Sequence, residues 1–529
     1  MPFATAHTVS LNGAVGHLID VQSDVSPGQV GTTLVGRPDA ALNEARDRCR
    51  MAIINSDLAW PATKRITILL SPADLLKRGT HFDLAIAVSV LAADGKIPQR
   101  SLDGTALIGE LTLDGGLRTV TGVLPMVLAA ASRGITRVFV PEPHADEAAM
   151  VPGMVVLGMR SLKQVVAELC GDEVPDAPPV AALSSSQLLA WRGEGRMEEV
   201  DLSDLLGMSD ARYAVEVAAA GGHHLLLEGP KGAGKTSIAE RIPGILPDLT
   251  PEEALELTAI HSLAGTLDPA RGMLTRPPFS TPHHDASKAS IIGGGSGQVR
   301  PGEISRAHCG VLLLDEFPLL RVDVIEALRQ PLESGDVTIA RREESVTLPA
   351  RGMVVLAANP CPCGRYHPVA GSNRCDCPEV KRRAYQAKLT GPVVDRIDIV
   401  RKLGPLPPHS ERDRFQVTES TAEVRARVER ARERQAARYA GMSWRLNAHA
   451  PAQRLRQHWP LSAGGQRLVD DAMYAGQLSR RGVTRVHRLA WTVADVAGVE
   501  RPGVEEVDAA LRLRTGDSLM LATLERRAG

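Results

Sequence analysis

The sequence predicts a multidomain α/β chain organised around a nucleotide-binding core, on three observations. A short apolar run, Leu225 to Leu227, leads at once into a G-x-x-x-x-G-K-[ST] segment from Gly229 to Thr236. A later apolar strand, Val311 to Leu314, ends in the adjacent carboxylates Asp315 and Glu316. The chain is also 529 residues long, more than one hydrophobic core serves.

Taken in order, residues 1–170 alternate strand-like and helical segments, as a compact α+β domain does. Ala40 to Ile54 has helical spacing, Ile66 to Leu70 is β-branched and apolar, Leu84 to Leu91 is an apolar helix or strand, and Arg137 to Val140 is a further strand. Gly171 to Ser186 then carries Pro175, Pro178, Pro179 and Ser184 to Ser186, with little to build a core, so residues 171–200 are expected to be a linker.

The core begins at Asp201. In the stretch Gly229-Pro230-Lys231-Gly232-Ala233-Gly234-Lys235-Thr236-Ser237 the glycines permit the positive φ that turns backbone N–H groups inward around phosphate oxygens. Lys235 is expected to reach the β and γ phosphates of ATP, and Thr236 to place its hydroxyl on Mg²⁺. The run Gly310 to Glu316 resembles a Walker B motif, in which Asp315 holds the Mg²⁺ and Glu316 orients the attacking water. Val354 to Asn359 is another buried strand, and Asn359 resembles the sensor-1 asparagine that helps to position that water. The alternative is a strand-terminating Asn before Pro360.

Between Lys235 and Asp315 the chain is longer than the connections of a bare α/β unit need. The surplus holds Thr281-Pro282-His283-His284, the glycines 293–295 and Arg300 to His308, and reads as an insertion that touches substrate in a ring pore. His283, His284 and His308 read as solvated loop residues rather than metal ligands.

Cys361-x-Cys363 and Cys375-x-Cys377 put four soft ligands on one excursion, a set that suits a closed tetrahedral Zn²⁺ site of structural type; buried or free thiols are the alternative. Further on, Gly391 to Asp398 resembles the segment in which related ring ATPases carry an arginine finger, at Arg396. A permanently charged fork suits charge building on a γ-phosphate, and a local Asp395/Arg396 surface pair is the alternative. Residues from about 411 onward are helical in pattern. Thr421 to Tyr439 is arginine-rich and reads as a solvated face with i,i+4 pairs, with a DNA-facing role as the alternative.

Composition limits the rest. Lys and Arg number 61 against 62 Asp and Glu, so the net charge of -1 gives no global sign of a nucleic-acid partner, and any basic surface is local. The longest low-polarity run, Leu84 to Ala93, falls far short of the roughly 20 residues of a membrane span. With no signal-peptide pattern from Met1 to Ser10, a cytoplasmic protein without a membrane partner is expected.

The motifs together carry a specific resemblance. Pro282-His283-His284, Pro301-Gly302-Glu303-Ile304-Ser305, Leu314-Asp315-Glu316, Asn359-Pro360-Cys361-Pro362-Cys363-Gly364 and Asp395-Arg396-Ile397-Asp398 occur in the order seen in Mg-chelatase-like AAA+ proteins of the YifB/ComM type, and the likeness covers nearly the whole chain. It implies a Lon-peptidase-like domain over 1–170, an AAA+ ATPase domain over 201–405 with a four-cysteine insertion at 361–377, and a helical lid over 406–529. Lys77 to Leu84 and Gly109 to Pro141 carry the Lon likeness. The serine place falls at or next to His81, and the lysine place falls in Thr121 to Met126, which has no lysine, so this domain is expected to be a non-catalytic scaffold.

In the lid, Leu478 to Arg485 resembles the segment with a sensor-2 arginine: Arg485, with Arg481 as second candidate. Trp491 stands where the family usually has arginine. The resemblance further implies a hexameric, ATP-hydrolysing ring acting on single-stranded or branched DNA, a helicase for branch migration in recombination or natural transformation. The other reading is a chelatase-type motor subunit that drives metal insertion through a partner. The cysteine cluster and the Lon-like domain are expected to separate the two, since chelatase motor subunits lack both.

Overall fold

The structure is a computed structural model that describes residues 3–39, 42, 44–181, 200–268, 272–295, 299–340, 345–366, 373–404, 418–520 and 523–524. Most of the expected linker, 182–199, lies outside the described residues, as do 405–417, where the lid boundary was expected.

The N-terminal region opens with a long antiparallel pair, β1 (Phe3–Asn12) and β2 (Val15–Ser26), joined by a tight turn at Gly13. With β3 (Gly31–Val35), β4 (Arg65–Ser71), β5 (Thr105–Leu107), β6 (Arg137–Pro141) and β7 (Val155–Met159) they form a seven-stranded mixed sheet in the order β3-β4-β2-β1-β5-β6-β7. The apolar stretch near Leu84 is helix α1 (Asp83–Ala93). It is buried at every position because it packs against β1 and β2 within the core on one face of this sheet. Helix α2 (Val123–Ser132) belongs to a second cluster, with Val9, Val138 and Val140.

The second sheet is wholly parallel. Its strands are β8 (Leu225–Glu228), β9 (Phe279–Ser280), β10 (Val311–Leu314), β11 (Met353–Ala358) and β12 (Ile399–Lys402), in the order β9-β10-β11-β8-β12. β10 and β11 are buried at every residue, which is why they read as continuous apolar runs without alternation. Because β11 lies between β8 and β10, the ends of all three converge on one edge.

Two helices connect the layers. α3 (Ser209–Gly221) lies against this sheet. α4 (Pro251–Ala264), started by a Thr250/Glu253 capping box, packs on α2 of the N-terminal region. There Ser262 donates to Glu147, whose carboxylate also accepts from the Leu124 N–H (3.0 Å) and lies 2.8 Å from His144 Nδ1. A second meeting point is the β1–β2 turn: a Cβ on Gly13 would sit 2.2 Å from Val346 Cγ1, in the antiparallel pair Asp336–Ala340/Ser345–Pro349.

The C-terminal helices include α5 (Thr421–Arg438), α6 (Arg480–Ala497) and α7 (Val504–Thr515). Their apolar faces join Leu225, Leu227, Val311, Leu313 and Val355 in one hydrophobic core. The expected solvated face of α5 is present in part, with Arg425 and Glu429 paired at i,i+4 (2.8 Å), but three of its arginines turn inward. Arg427 pairs with fully buried Glu216 at 2.6 Å, Arg432 donates to the Ala219 carbonyl, and Arg438 pairs with buried Asp495. These arginines clamp the lid to α3 and α6 instead of facing water, a distinction that charge spacing along one helix does not contain. Trp491 is buried, donates to the Trp459 carbonyl at 2.9 Å and lies 4.3 Å beneath the Arg438 guanidinium, so its work is packing. Among the described residues no helix is long and apolar enough to cross a membrane.

Candidate active site

The site is assembled at the carboxyl ends of β8, β10 and β11, the edge where open parallel sheets bind ligands. Leaving β8, the loop 229–234 is anchored by the Gly229 N–H on the Ala358 carbonyl (3.1 Å). A Cβ at Gly229 would meet the Leu403 carbonyl oxygen at 2.7 Å, so the loop closes only with glycine there. Gly232 and Gly234 take φ of 80° and 78°, which turns the chain into the helix that starts at Lys235. Lys231 is exposed, Ala233 is buried, and Ser237 offers its carbonyl to Arg241 at 2.8 Å.

Lys235 is buried, and its Nζ donates to the carbonyls of Gly229 (2.7 Å) and Pro230 (2.8 Å) and to Asn359 Oδ1 (3.0 Å). Burial lowers its pKa, opposed by the nearby carboxylates of Asp315 and Glu316. The Thr236 hydroxyl donates to Asp315 Oδ2 at 3.0 Å, which joins the two halves of the site. Asp315 Oδ1 accepts the Glu316 N–H at 2.8 Å, and Glu316 itself adopts a left-handed conformation (φ 49°, ψ 38°), uncommon for a residue with a side chain. The sequence-predicted Lys235, Thr236, Asp315, Glu316 and Asn359 therefore stand together. Their donor set fits MgATP: hard oxygen ligands in Thr236 and Asp315, and an ammonium beside a glycine-rich loop.

The four cysteines also come together. Sγ separations are 3.3 Å for Cys361–Cys363, 3.6 Å for Cys363–Cys375 and 3.5 Å for Cys375–Cys361, and Cys377 falls within the same 4.8 Å group. Zn–S bonds of about 2.3 Å imply tetrahedral S···S edges of about 3.8 Å, so the arrangement fits Zn²⁺. This excursion is not remote from the phosphate loop. It leaves the sheet at Asn359, and a Cβ on Gly364 would lie 2.9 Å from Lys231 Cγ.

Arg396 and Arg485 lie elsewhere. Arg396 precedes β12, whose first residue Ile399 is level with Leu225, so it sits at the amino edge of the sheet, about 10–13 Å of strand away from its own phosphate loop. There it is mostly buried and donates to Glu333 Oε2 at 2.7 and 3.0 Å. Arg485 is on the same edge, bonded to the Asp395 carbonyl (3.1 Å) and to buried Asp398. Burial alone would raise the Asp398 pKa, but Arg485 and His223 hold it well below the usual carboxylate range. Arg481 lies 3.7 Å from Asp395 Oδ2.

His81 is buried against the Val9 carbonyl (Nε2, 2.8 Å), and burial pushes its pKa down to about 4. The expectation for His308 is corrected, whereas His283 stays exposed (72%) and His284 partly so (31%). His308 is fully buried, 3.1 Å from Glu256 Oε2, because α4 covers it. His283 and His284 are close together (ring centroids 4.2 Å apart), and His284 Nδ1 lies 3.9 Å from Glu316 Oε2. The sequence held no signal for that proximity, which depends on the two-residue strand β9.

A parallel sheet with a phosphate loop, a paired-carboxylate strand end and an asparagine between them defines an AAA+ ATPase of the magnesium-chelatase type. Family models described as magnesium chelatase, subunit ChlI, match residues 201–410; as subunit ChlI of Mg-chelatase, residues 21–144; and as the ChlI C-terminal region, residues 418–514. The chain is 44% identical to an uncharacterised protein of Mycobacterium tuberculosis over 516 residues (97% of this chain, 99% of the relative). It is 39% identical to the uncharacterised protein YifB of Escherichia coli over 523 residues (98% and 99%), and 36% identical to the competence protein ComM of Haemophilus influenzae over 501 (95% of each). The chain belongs to the YifB/ComM family of Mg-chelatase ChlI-like proteins.

Proposed function

We propose that the chain is the subunit of a hexameric ring motor that hydrolyses ATP to move single-stranded or branched DNA, a helicase-like activity serving branch migration in recombination or natural transformation. The observation that carries the ring is the placement of Arg396 and Arg485 on the sheet edge opposite their own phosphate loop. An arginine there serves a γ-phosphate only if that phosphate belongs to a neighbour. Within one subunit Lys235, Thr236 and Asp315 hold MgATP, in which the Mg²⁺ neutralises phosphate charge, while Glu316 and Asn359 orient water. The next subunit supplies Arg396 as finger and Arg485 as sensor.

DNA as substrate is supported by likeness over almost the whole chain to a relative named a competence protein. The four-cysteine excursion reads as a structural Zn²⁺ clamp beside the loop. The N-terminal region reads as a Lon-like scaffold without a peptidase dyad: His81 is buried, and Lys77 is buried with its amine on the Pro72 carbonyl. A chelatase-type motor is the second reading, favoured by the family descriptions. Neither the N-terminal region nor the cysteine excursion separates the two, because residues 21–144 and 201–410 both match ChlI models. Measuring ATP hydrolysis with single-stranded, duplex and four-way-junction DNA tests the proposal. Stimulation by DNA is expected, and a rate indifferent to all three refutes it.

A further inference from the structure

The excursion that carries the four cysteines returns to the sheet through the helix Glu379–Leu389, which starts two residues after Cys377. Its inner face meets the ends of two strands. Tyr385 is buried, and burial raises the pKa of its phenol against an opposing hydrogen bond from the Asn359 backbone, just past the end of β11. Gln386 Nε2 donates to the Pro360 carbonyl, one residue further on, at 3.4 Å. At the far end Lys388 Nζ donates to the carbonyls of Pro318 (2.7 Å) and Leu320 (3.1 Å), in the turn that directly follows Glu316. Leu389 packs into the core that holds Phe317 and Leu320.

The start of the excursion touches a third element. Gly364 takes a φ of 77° and closes a turn on the Cys361 carbonyl (2.9 Å). A Cβ there would lie 2.9 Å from Lys231 Cγ and 3.5 Å from its Cδ and Cε, so the turn runs along the stem of an exposed lysine of the phosphate loop. Between the turn and the helix stand the sulfurs, Cys361 and Cys363 on the outgoing chain and Cys375 and Cys377 on the returning one. Arg382 adds a second tie, its guanidinium 4.7 Å from the centroid of the Tyr366 ring. Drawing the four thiolates together therefore fixes where the helix begins relative to Gly364. The helix, 11 residues and about 16 Å long, carries that constraint to the turn behind Glu316.

We infer that the cysteine cluster and the nucleotide site are coupled: Gly364 and the helix Glu379–Leu389 brace the phosphate loop against the exit of β10, with Lys388 as the positioning residue at the far end. This rests on the reading of the four cysteines as a zinc site, and not on DNA as the substrate. With the cluster closed, the loop and the turn behind Glu316 keep the spacing that suits MgATP; with it open, Gly364 no longer backs Lys231 and the spacing relaxes. Linkage makes the effect mutual, so whatever factor bound zinc adds to nucleotide affinity, bound nucleotide adds to zinc affinity.

The test closes that cycle on the full-length protein. The Kd for MgADP is measured by equilibrium binding to the zinc-loaded and zinc-free forms, and the Kd for Zn²⁺ by competition with a chromogenic chelator, with and without saturating MgADP. Each ligand should tighten the other by a common factor of about five to ten, the lower range of coupling between sites. Lys388→Met should keep about one zinc per chain and bring both factors towards one, whereas Lys388→Arg, which keeps the charge, should retain most of the coupling. Thermal melting of each form separates lost coupling from lost fold. Zinc bound with both factors at one overturns the coupling and leaves the zinc site standing; a chain that binds no zinc overturns both. An undiminished factor in a folded Lys388→Met protein overturns the brace, and if that variant does not fold, the wild-type cycle still decides the coupling.

Discussion

Mixing two inactive variants should restore activity by a calculable amount. Lys235→Ala removes the ammonium that sits in the phosphate loop, and Arg396→Ala removes the guanidinium on the opposite sheet edge. Each alone should lose about three to five decades of turnover. A productive interface in a mixed ring needs the loop of an Arg396→Ala subunit facing the arginine of a Lys235→Ala subunit. At equal, random mixing this pairing is half of half of all interfaces, so about a quarter of wild-type turnover per site returns, whatever the ring size. The Glu333 pair does not stand in the way. Glu333 is 59% exposed, and such a pair is worth about 0.2–1 kcal/mol, against about 4–7 kcal/mol for the three to five decades supplied by the finger. The assay is steady-state ATP hydrolysis across mixing ratios, with a maximum expected near one to one. A mixture as dead as its components, or an Arg396→Ala protein that turns over normally alone, refutes the shared site.

Other expectations are more local. Glu316→Gln should retain nucleotide binding while turnover drops by about 10²–10⁴, whereas Lys235→Ala should lose binding as well; equilibrium binding beside turnover separates them. Metal analysis after purification without chelators should find about one zinc per chain, lost in Cys361→Ser, with X-ray absorption reporting Zn–S bonds near 2.3 Å; a metal-free protein rules out the site. His81 is neutral in the fold with a pKa of about 4, while the unfolded chain protonates it near 6.5. Its contribution is whole above pH 6.5 and is lost as the pH falls towards 4, about 2 kcal/mol at pH 5. His81→Leu should therefore lose less stability than wild type between pH 8 and pH 5 in chemical denaturation, and parallel losses would remove His81 from the account.

What the sequence disclosed and what it hid follow from the range of the interactions. The phosphate loop, Asp315 and Glu316, Asn359 and the cysteine pairs are local patterns whose chemistry dictates their spacing, and the parallel sheet brings them to one edge. Arg396 and Arg485 were recognisable as residues, yet their position behind the sheet depends on β12 being level with β8, a long-range register with no sequence period. The β1–β2 hairpin escaped notice because its polar and small residues alternate with few large apolar ones. The nearness of His284 to Glu316 left no signal because a two-residue strand has no pattern, nor did the inward partners of Arg427, Arg432 and Arg438, because charge spacing says nothing about which neighbour receives them.

Among the described residues, the N-terminal region is mounted on the ATPase at two separate places, around Ser262 and Glu147 and where the Gly13 turn meets Val346. A body on one tether trails behind its host; a body on two must tilt with it or let go of one. The Val346 mount belongs to the hairpin that begins just after Glu333, the carboxylate holding Arg396. In the proposed ring, a neighbour's nucleotide that drew this arginine away would disturb both the foot of the N-terminal tier, through Glu333, and the lid, whose Arg485 and Arg481 lie on the adjacent Asp395. The N-terminal tier would then register what the adjacent subunit is doing, so successive firings around such a ring would show as a rocking wave in a layer outside the phosphate-binding sheet.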